Sequence, residues 1–254
     1  MTKILVTGSS DGIGKETARQ LAAAGAHVIV HGRSEERAAA AAREVGAAGA
    51  WACDFAALDD VRRAVSRLPG DLDVLINNAG VYLQQRTTTA DGYETTFQVN
   101  HLAPFLLTHL LLPSLAAGAR IVNVSSQVHG SGELAWDDLM GERHFSGYAA
   151  YAQSKLANLL FTRALARRQE KVTVNALHPG VIGTKLLRGG FGGMRGGSLS
   201  RGAETPVYLA IAPEVAGVSG RYFVDRRETQ PAARALDDAA AQRLWDLSER
   251  LVNL

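Results

Sequence analysis

Tyr151 and Lys155 are the residues in this chain best placed to exchange a proton. They stand four residues apart, the spacing that brings side chains onto one face of a helix, and the stretch Tyr148 to Arg168 around them reads as helical. A free phenol titrates near about 10, too high for an efficient base at neutral pH. A neighbouring ammonium favours the phenolate, so the spacing predicts a lowered tyrosine pKa. Such a pair gives or takes the proton of a substrate oxygen. Ser125 and Ser126 end the apolar run that starts at Arg120, and a hydroxyl at either place could donate to the same oxygen and stabilise its developing charge.

The proton chemistry needs a hydride carrier, and the N-terminal residues point to one. Ile4 to Thr7 reads as a strand, followed by Gly8-Ser9-Ser10-Asp11-Gly12-Ile13-Gly14 and then an amphipathic stretch, Lys15 to Ala24. Gly8 permits a tight turn, Gly12 leaves room for a pyrophosphate, and Gly14 lets helix and strand pack closely. The helix start adds free N–H groups and partial positive charge. Ser10 and Ile13 belong to the same turn, and a dinucleotide is its expected ligand. An oxidised nicotinamide would join Lys155 in favouring the phenolate. The second strand ends His31-Gly32-Arg33-Ser34, with no carboxylate to bind the adenosine ribose hydroxyls. The guanidinium of Arg33 can fork onto a phosphate, so NADP(H) is expected over NAD(H); the competing reading is a solvated arginine at a helix start.

Strand-like runs alternate with helix-like segments along the whole chain. Ile4 to Thr7, His27 to His31, Ala50 to Cys53, Val74 to Asn77, Arg120 to Ser125, Val172 to His178 and Arg221 to Val224 read as seven strands. That alternation predicts an α/β Rossmann fold: a doubly wound, seven-stranded parallel sheet with helices on both faces, in one domain over 1–254. Ligands then bind at the carboxyl ends of the strands, where Ser126 falls. Asn100 lies inside a long helix, Thr95 to Leu112. The stretch Arg188 to Gly202 holds Gly189, Gly190, Gly192, Gly193, Gly196, Gly197 and Gly202 and reads as a mobile loop, part of a substrate loop at about 181–202.

With 27 basic and 25 acidic side chains interspersed, the chain has no basic stripe and nucleic acid is not an expected partner. Cys53 is the only cysteine, which excludes an internal disulfide or thiolate cluster and suits a reducing, cytoplasmic setting. The histidines show no ligand spacing and no metal site is expected. The first strand begins too early for a secretory leader. The most apolar stretch, Leu102 to Leu115, is interrupted by Pro104, His109 and Pro113, so a buried helix is expected there in place of a membrane anchor.

Five separated motifs occur together: Thr7-Gly8 to Gly12-Ile13-Gly14, Asn77-Asn78-Ala79-Gly80, Asn100, Ser126 and Tyr151-Ala152-Gln153-Ser154-Lys155. In this the chain resembles the short-chain dehydrogenase/reductases. Thr95 to Leu112, Ser154 to Thr162, Gly220 to Asp225 and Trp245 to Leu251 are similar to the retinol dehydrogenase-like group. The resemblance selects Ser126 over Ser125 and implies a catalytic set of Tyr151, Lys155, Ser126 and Asn100, the last linked to the lysine through water. It also implies that Asp54 contacts adenine, and that Asn78, Ala79 and Gly80 hold the adenine-side loop. Pro179 and Gly180 would form the turn that lets the Val181 amide and Thr184 hydroxyl bind the nicotinamide carboxamide, with His178 structural. The long gap between Ser126 and Tyr151 is expected to wall the substrate site with Trp136 to Gly147. The expected activity is NADPH-dependent reduction of a hydrophobic aldehyde or ketone, or the reverse oxidation. The resemblance further implies dimers or tetramers through the helices Thr95 to Leu115 and Tyr148 to Arg168. Two other readings are an NADP(H)-sensing binding protein, against which the complete Tyr151, Lys155 and Ser126 set argues, and an extended-fold epimerase, for which too little chain follows the seventh strand.

Overall fold

A computed structural model describes residues 1–190 and 195–254. Lys3–Val6 (β1), His27–Gly32 (β2), Gly49–Ala52 (β3), Val74–Asn77 (β4), Arg120–Val124 (β5), Thr173–His178 (β6) and Tyr222–Val224 (β7) run parallel, in the order β3-β2-β1-β4-β5-β6-β7. Arg227–Glu228 (β8) pairs antiparallel beside β7, so the sheet has one strand more than expected. Its hairpin turns through Asp225 and Arg226, whose φ angles of 46° and 62° are those of a tight two-residue hairpin. With only two residues, both exposed, β8 carries no apolar alternation by which a sequence reading could find it.

The parallel strands are apolar on both sides because helices cover both. Ile4, Val6, Val28, Val30, Val74 and Ile76 pack with Gly12–Ala23 (α1), Glu35–Val45 (α2) and Leu199–Ile211 (α8). Leu5, Ile29, Leu75, Ile121 and Val174 face the other way, toward Leu58–Val65 (α3), Ala103–Leu111 (α5), Gly147–Arg168 (α6) and Asp238–Leu251 (α9). The strand order reverses between β1 and β4, and the chain leaves the two strands in opposite directions, opening a crevice at their carboxyl ends.

The expected helix Thr95 to Leu112 is divided. Thr95–Phe97 (α4) leads into a wider, π-type turn at Gln98–Leu102, then α5. Pro104 has no N–H to offer the carbonyl of Asn100, so the regular ladder must open there. The glycine-rich stretch also departs from expectation. Gly192 and Gly193 lie outside the described residues, but Lys185–Gly190 (α7) and α8 are helical. Gly197, just before α8, is bonded to the segment ahead of α7: the Gly183 N–H donates to the Gly197 carbonyl at 3.0 Å and the Gly197 N–H to the Val181 carbonyl at 2.8 Å. A Cβ on Gly196 would stand 2.4 Å from the Gly183 nitrogen; here glycine permits close packing where a mobile loop was expected.

α9 lies across α6. The Trp245 ring meets Phe105 at 5.2 Å, His109 at 4.8 Å and Phe161 at 6.1 Å, with the Arg168 guanidinium 4.2 Å from its centroid. Any pairing of copies through the two long helices is confined to the faces α9 leaves. Trp245→Ala is expected to lower the unfolding free energy by about 3 kcal/mol through the cavity it leaves, read from urea denaturation; a loss under about 1 kcal/mol would show that the ring does not hold α9 in place.

Candidate active site

One cavity of about 950 Å³ runs along the carboxyl ends of the strands, from the turn after β1 to the start of α6. Gly8 and Gly12 have φ of 63° and 59°, the left-handed region that glycine enters without strain. Asp11 caps α1, its carboxylate accepting from the Gly12 N–H at 2.8 Å, so the helix begins earlier than expected and aims its free amides into the cavity. A Cβ on Gly14 would stand 2.2 Å from Asn78 Nδ2 and 2.5 Å from the Gly8 carbonyl oxygen. That nitrogen donates to the Thr7 carbonyl at 2.7 Å, while the Thr7 hydroxyl accepts from the Asn78 and Ala79 amides at 2.9 and 3.0 Å. The loops after β1 and β4 are thereby tied together, with Gly8, Ser10, Gly12, Ile13, Gly14, Asn78, Ala79 and Gly80 all on the cavity wall. A backbone cradle that no side chain obstructs, closed by a helix N-terminus, fits a dinucleotide pyrophosphate.

Arg33 and Asp54 line the cavity beyond the second and third strands. Asp54 forms a local turn, its Oδ1 accepting from the Ala56 N–H at 3.0 Å. Arg37, absent from the sequence expectations, lines the same region. It stands in the first turn of α2, two residues after the helix begins, while Arg33 precedes the Ser34 cap. Among the described residues neither guanidinium is ion-paired. His31, also unanticipated, is buried at this end.

At the other end, Pro179, Gly180, Val181 and Thr184 line the cavity as expected. Gly180 has φ 93°, and the Thr184 hydroxyl accepts from the Leu187 N–H at 3.1 Å, starting α7. Lys185 reaches back to Asp11 at 2.6 Å across the turn and holds that carboxyl below its ordinary pKa.

Tyr151 and Lys155 are both buried on α6, 7% and 3% exposed. The Ser126 hydroxyl hydrogen-bonds the phenol. Ser125 points elsewhere, donating to the Lys155 carbonyl at 2.7 Å; the backbone thus separates the two serines that the residues alone left open. Lys155 Nζ donates to the Val124 carbonyl at 3.0 Å and lies 5.4 Å from the Tyr151 ring centroid. Burial lowers Lys155 to about 8. The expected fall in the tyrosine pKa does not occur: burial pushes the phenol up, and the Ser126 hydrogen bond opposes it only in part. Desolvation penalises both charged forms and is the main cause of both shifts.

Asn100 stands behind the wall instead of on it. Its Oδ1 accepts from the Val81 N–H at 2.7 Å, and its Nδ2 donates to the Val81 carbonyl and to Ser154 Oγ, each at 3.0 Å. The amide therefore ties the loop after β4 to α6; a Cβ on Gly80 would lie 3.3 Å from Asn100 Oδ1 and 3.4 Å from Lys155 Nζ. The expected wall of Trp136 to Gly147 is also corrected. Those residues are off the cavity, because Trp136, Leu139 and Met140 pack onto the core. Leu83, Val128, Ser131, Tyr148, Leu186 and Leu187 take their place. Tyr148 and Ser131 share a hydrogen bond of 2.8 Å, and Tyr82 packs against Tyr151 at 5.5 Å. His178, expected to be structural, lines the cavity beside Pro179, its Nδ1 accepting from the Gln127 N–H at 3.2 Å.

The family model for short chain dehydrogenases matches residues 2–190. This chain belongs to that family. As a short-chain dehydrogenase it is an oxidoreductase of carbonyls and alcohols with an NAD(P) dinucleotide. Mus musculus retinol dehydrogenase 14 is 42% identical over 99% of this chain and 86% of its own length, which sets the protein in the retinol dehydrogenase-like group. A protein solved from Mycobacterium Paratuberculosis superposes with a TM-score of 0.86 at 35% identity, covering 100% of this chain and 94% of that one. A blue fluorescent protein from a metagenomic library, solved with NADPH, gives 0.71 at 31% over 87% and 95%. Among the described residues no helix is long and apolar enough to cross a membrane.

Gly14→Ala drives a methyl group into backbone and amide atoms that cannot yield without opening the turn. It is expected to raise the dissociation constant for NADPH at least tenfold, measured by quenching of protein fluorescence; unchanged affinity would show that the turn is not the phosphate cradle.

Proposed function

We propose that this short-chain dehydrogenase reduces an aldehyde or ketone with NADPH, and runs in reverse as an alcohol dehydrogenase, with Tyr151 as the proton donor and acceptor. The observation that carries the reading is the buried Tyr151 phenol, bonded to Ser126 and close to Lys155 Nζ, in the same cavity as the glycine turn. When bound, the reduced nicotinamide supplies a hydride to the carbonyl carbon. The turn from Gly8 to Gly14 and the α1 N-terminus would hold the pyrophosphate, the Val181 amide and Thr184 hydroxyl the carboxamide, and Asp54 the adenine. Arg33, with Arg37 in the first turn of α2, would receive a 2′-phosphate; two guanidiniums without an ion pair among the described residues and no carboxylate at the end of β2 favour NADP(H) over NAD(H).

Ser126 donates to the substrate oxygen, Tyr151 delivers the proton, and the Lys155 ammonium stabilises the phenolate and restores its proton. Burial keeps the phenol protonated, the state that reduction consumes, and makes Lys155 the readier proton source. Asn100 acts as a positioning residue for Lys155 through α6. Leu83, Val128 and Leu186 offer the substrate an apolar wall, consistent with a hydrophobic carbonyl compound, and Val181, Ile182 and Leu187, described residues of the 181–202 stretch, flank it.

The test follows NADPH consumption with a panel of aliphatic, aromatic and polyene aldehydes and ketones. Tyr151→Phe is expected to lower kcat by about a hundredfold or more, while NADPH binding without turnover of any carbonyl would indicate a dinucleotide-binding protein without this chemistry. Arg33→Ala is expected to weaken NADPH about tenfold and leave NADH unaffected; equal effects on both would remove the phosphate assignment. Because Lys155 loses its proton as pH rises through about 8, kcat/KM for reduction should decline above that pH. A profile flat from pH 7 to 10 would exclude the ammonium from the rate.

A further inference from the structure

β2 contains a buried ionisable side chain that the proton chemistry does not use. His31 is 3% exposed, yet its ring reaches the cavity wall and both its nitrogens are bonded. Nδ1 accepts from the Gly8 N–H at 2.8 Å, and Nε2 lies 2.8 Å from the Cys53 carbonyl oxygen. A carbonyl only accepts, so Nε2 carries the proton and Nδ1 the lone pair. The backbone of the same residue holds Ser9: the His31 N–H donates to Ser9 Oγ at 2.7 Å, and the Ser9 N–H donates to the His31 carbonyl at 3.0 Å. The ring stacks on Phe55 at 4.7 Å and 23° and tilts against Trp51 at 5.1 Å.

One imidazole thus joins the ends of three strands: the first glycine of the phosphate turn after β1, its own strand β2 next to Arg33, and the corner after β3 that leads into Asp54. We propose that His31 is a positioning residue for the dinucleotide, setting the Gly8 turn that receives its pyrophosphate and the Cys53–Asp54 corner that receives its adenine. The tie requires a neutral ring, since a second ring proton would face the Gly8 N–H. Burial supplies that condition, lowering the pKa to about 4 against the opposing pull of Asp54 and Asp60. Gly8 needs such a tie because its backbone is left-handed, with φ 63°, and a glycine has no side chain by which to hold the conformation itself.

The inference rests on the dinucleotide site and is indifferent to which dinucleotide is preferred. His31→Phe keeps the ring against Phe55 and removes both nitrogen bonds; His31→Gln can reach Cys53 but leaves Gly8 without its acceptor; His31→Asn places an amide oxygen near the position of Nδ1. Dissociation constants for NADPH and NADH, with KM and kcat, are measured for the three variants and wild type, alongside thermal melting. The expected result is a rise of about tenfold in Kd and KM for both dinucleotides in the Phe and Gln variants, the equivalent of one lost hydrogen bond. The Asn variant should recover to within about threefold of wild type, and kcat at saturating dinucleotide should change less than twofold in all three.

Wild-type Kd in the Phe and Gln variants would overturn the proposal, and so would an Asn variant as impaired as Phe, or a loss confined to kcat. If the Phe variant shows no melting transition, the comparison of Gln with Asn decides: Gln weakened and Asn restored supports the tie to Gly8, and equal affinities overturn it. Arg33→Ala in the same series should touch NADPH alone. A wild-type preference for NADH would remove the phosphate assignment and leave the His31 result standing.

Discussion

The Lys155 ammonium, held beneath a helix buried along most of its length, is the constraint on which the reactive end depends. From Tyr151 to Leu165 nearly every residue of α6 is buried, so Lys155 keeps little hydration and its charge needs compensation from the protein. The carbonyl of Val124 supplies it, from the last residue of a parallel strand whose position is set by pairing on both sides. Ser125 then clasps the carbonyl of Lys155 itself. The distance between ammonium and phenol is therefore set by the sheet against the helix. The compensation is incomplete, and the residual cost appears as the lowered lysine pKa and the raised tyrosine pKa. A proton on Lys155 is accordingly easier to release and one on the phenol harder.

The dinucleotide end obeys a different rule. Backbone, not charge, does most of the holding, and the close approach of the loops after β1 and β4 leaves no space for a Cβ at Gly14. Thr7, Asn78 and His31 each fasten one strand's end to another's, using hydroxyl, amide and imidazole. The guanidinium-bearing residues Arg33 and Arg37 line the margin of this end.

Much of this was legible in the residues. Apolar runs at β spacing located the seven parallel strands to within a residue or two, because strands covered on both faces must be apolar throughout. The glycine turn, Tyr151 and Lys155 stood out because their chemistry restricts which residue types can serve, whereas the Pro179–Gly180 turn was implied only by the family resemblance. β8 did not, since two exposed residues carry no burial signal. Nor did the wall of the substrate side: Trp136, Leu139 and Met140 looked like lining residues by their place in the chain, yet they are apolar enough to be drawn into the core, leaving the wall to Leu83, Val128 and Tyr148.

By itself the sequence determined the fold class, the strand-to-helix phosphate turn and the spacing of the acid/base pair, because these follow from local periodicity and from backbone freedoms that only glycine has. The tertiary structure decided which of Ser125 and Ser126 meets the phenol, that Asn100 braces the wall without lining it, and that the tyrosine pKa rises. It also decided that His31 joins three strand ends. Each of these depends on distances between residues remote in the chain and on how much water remains around them, and neither quantity exists until the sheet and its helices close.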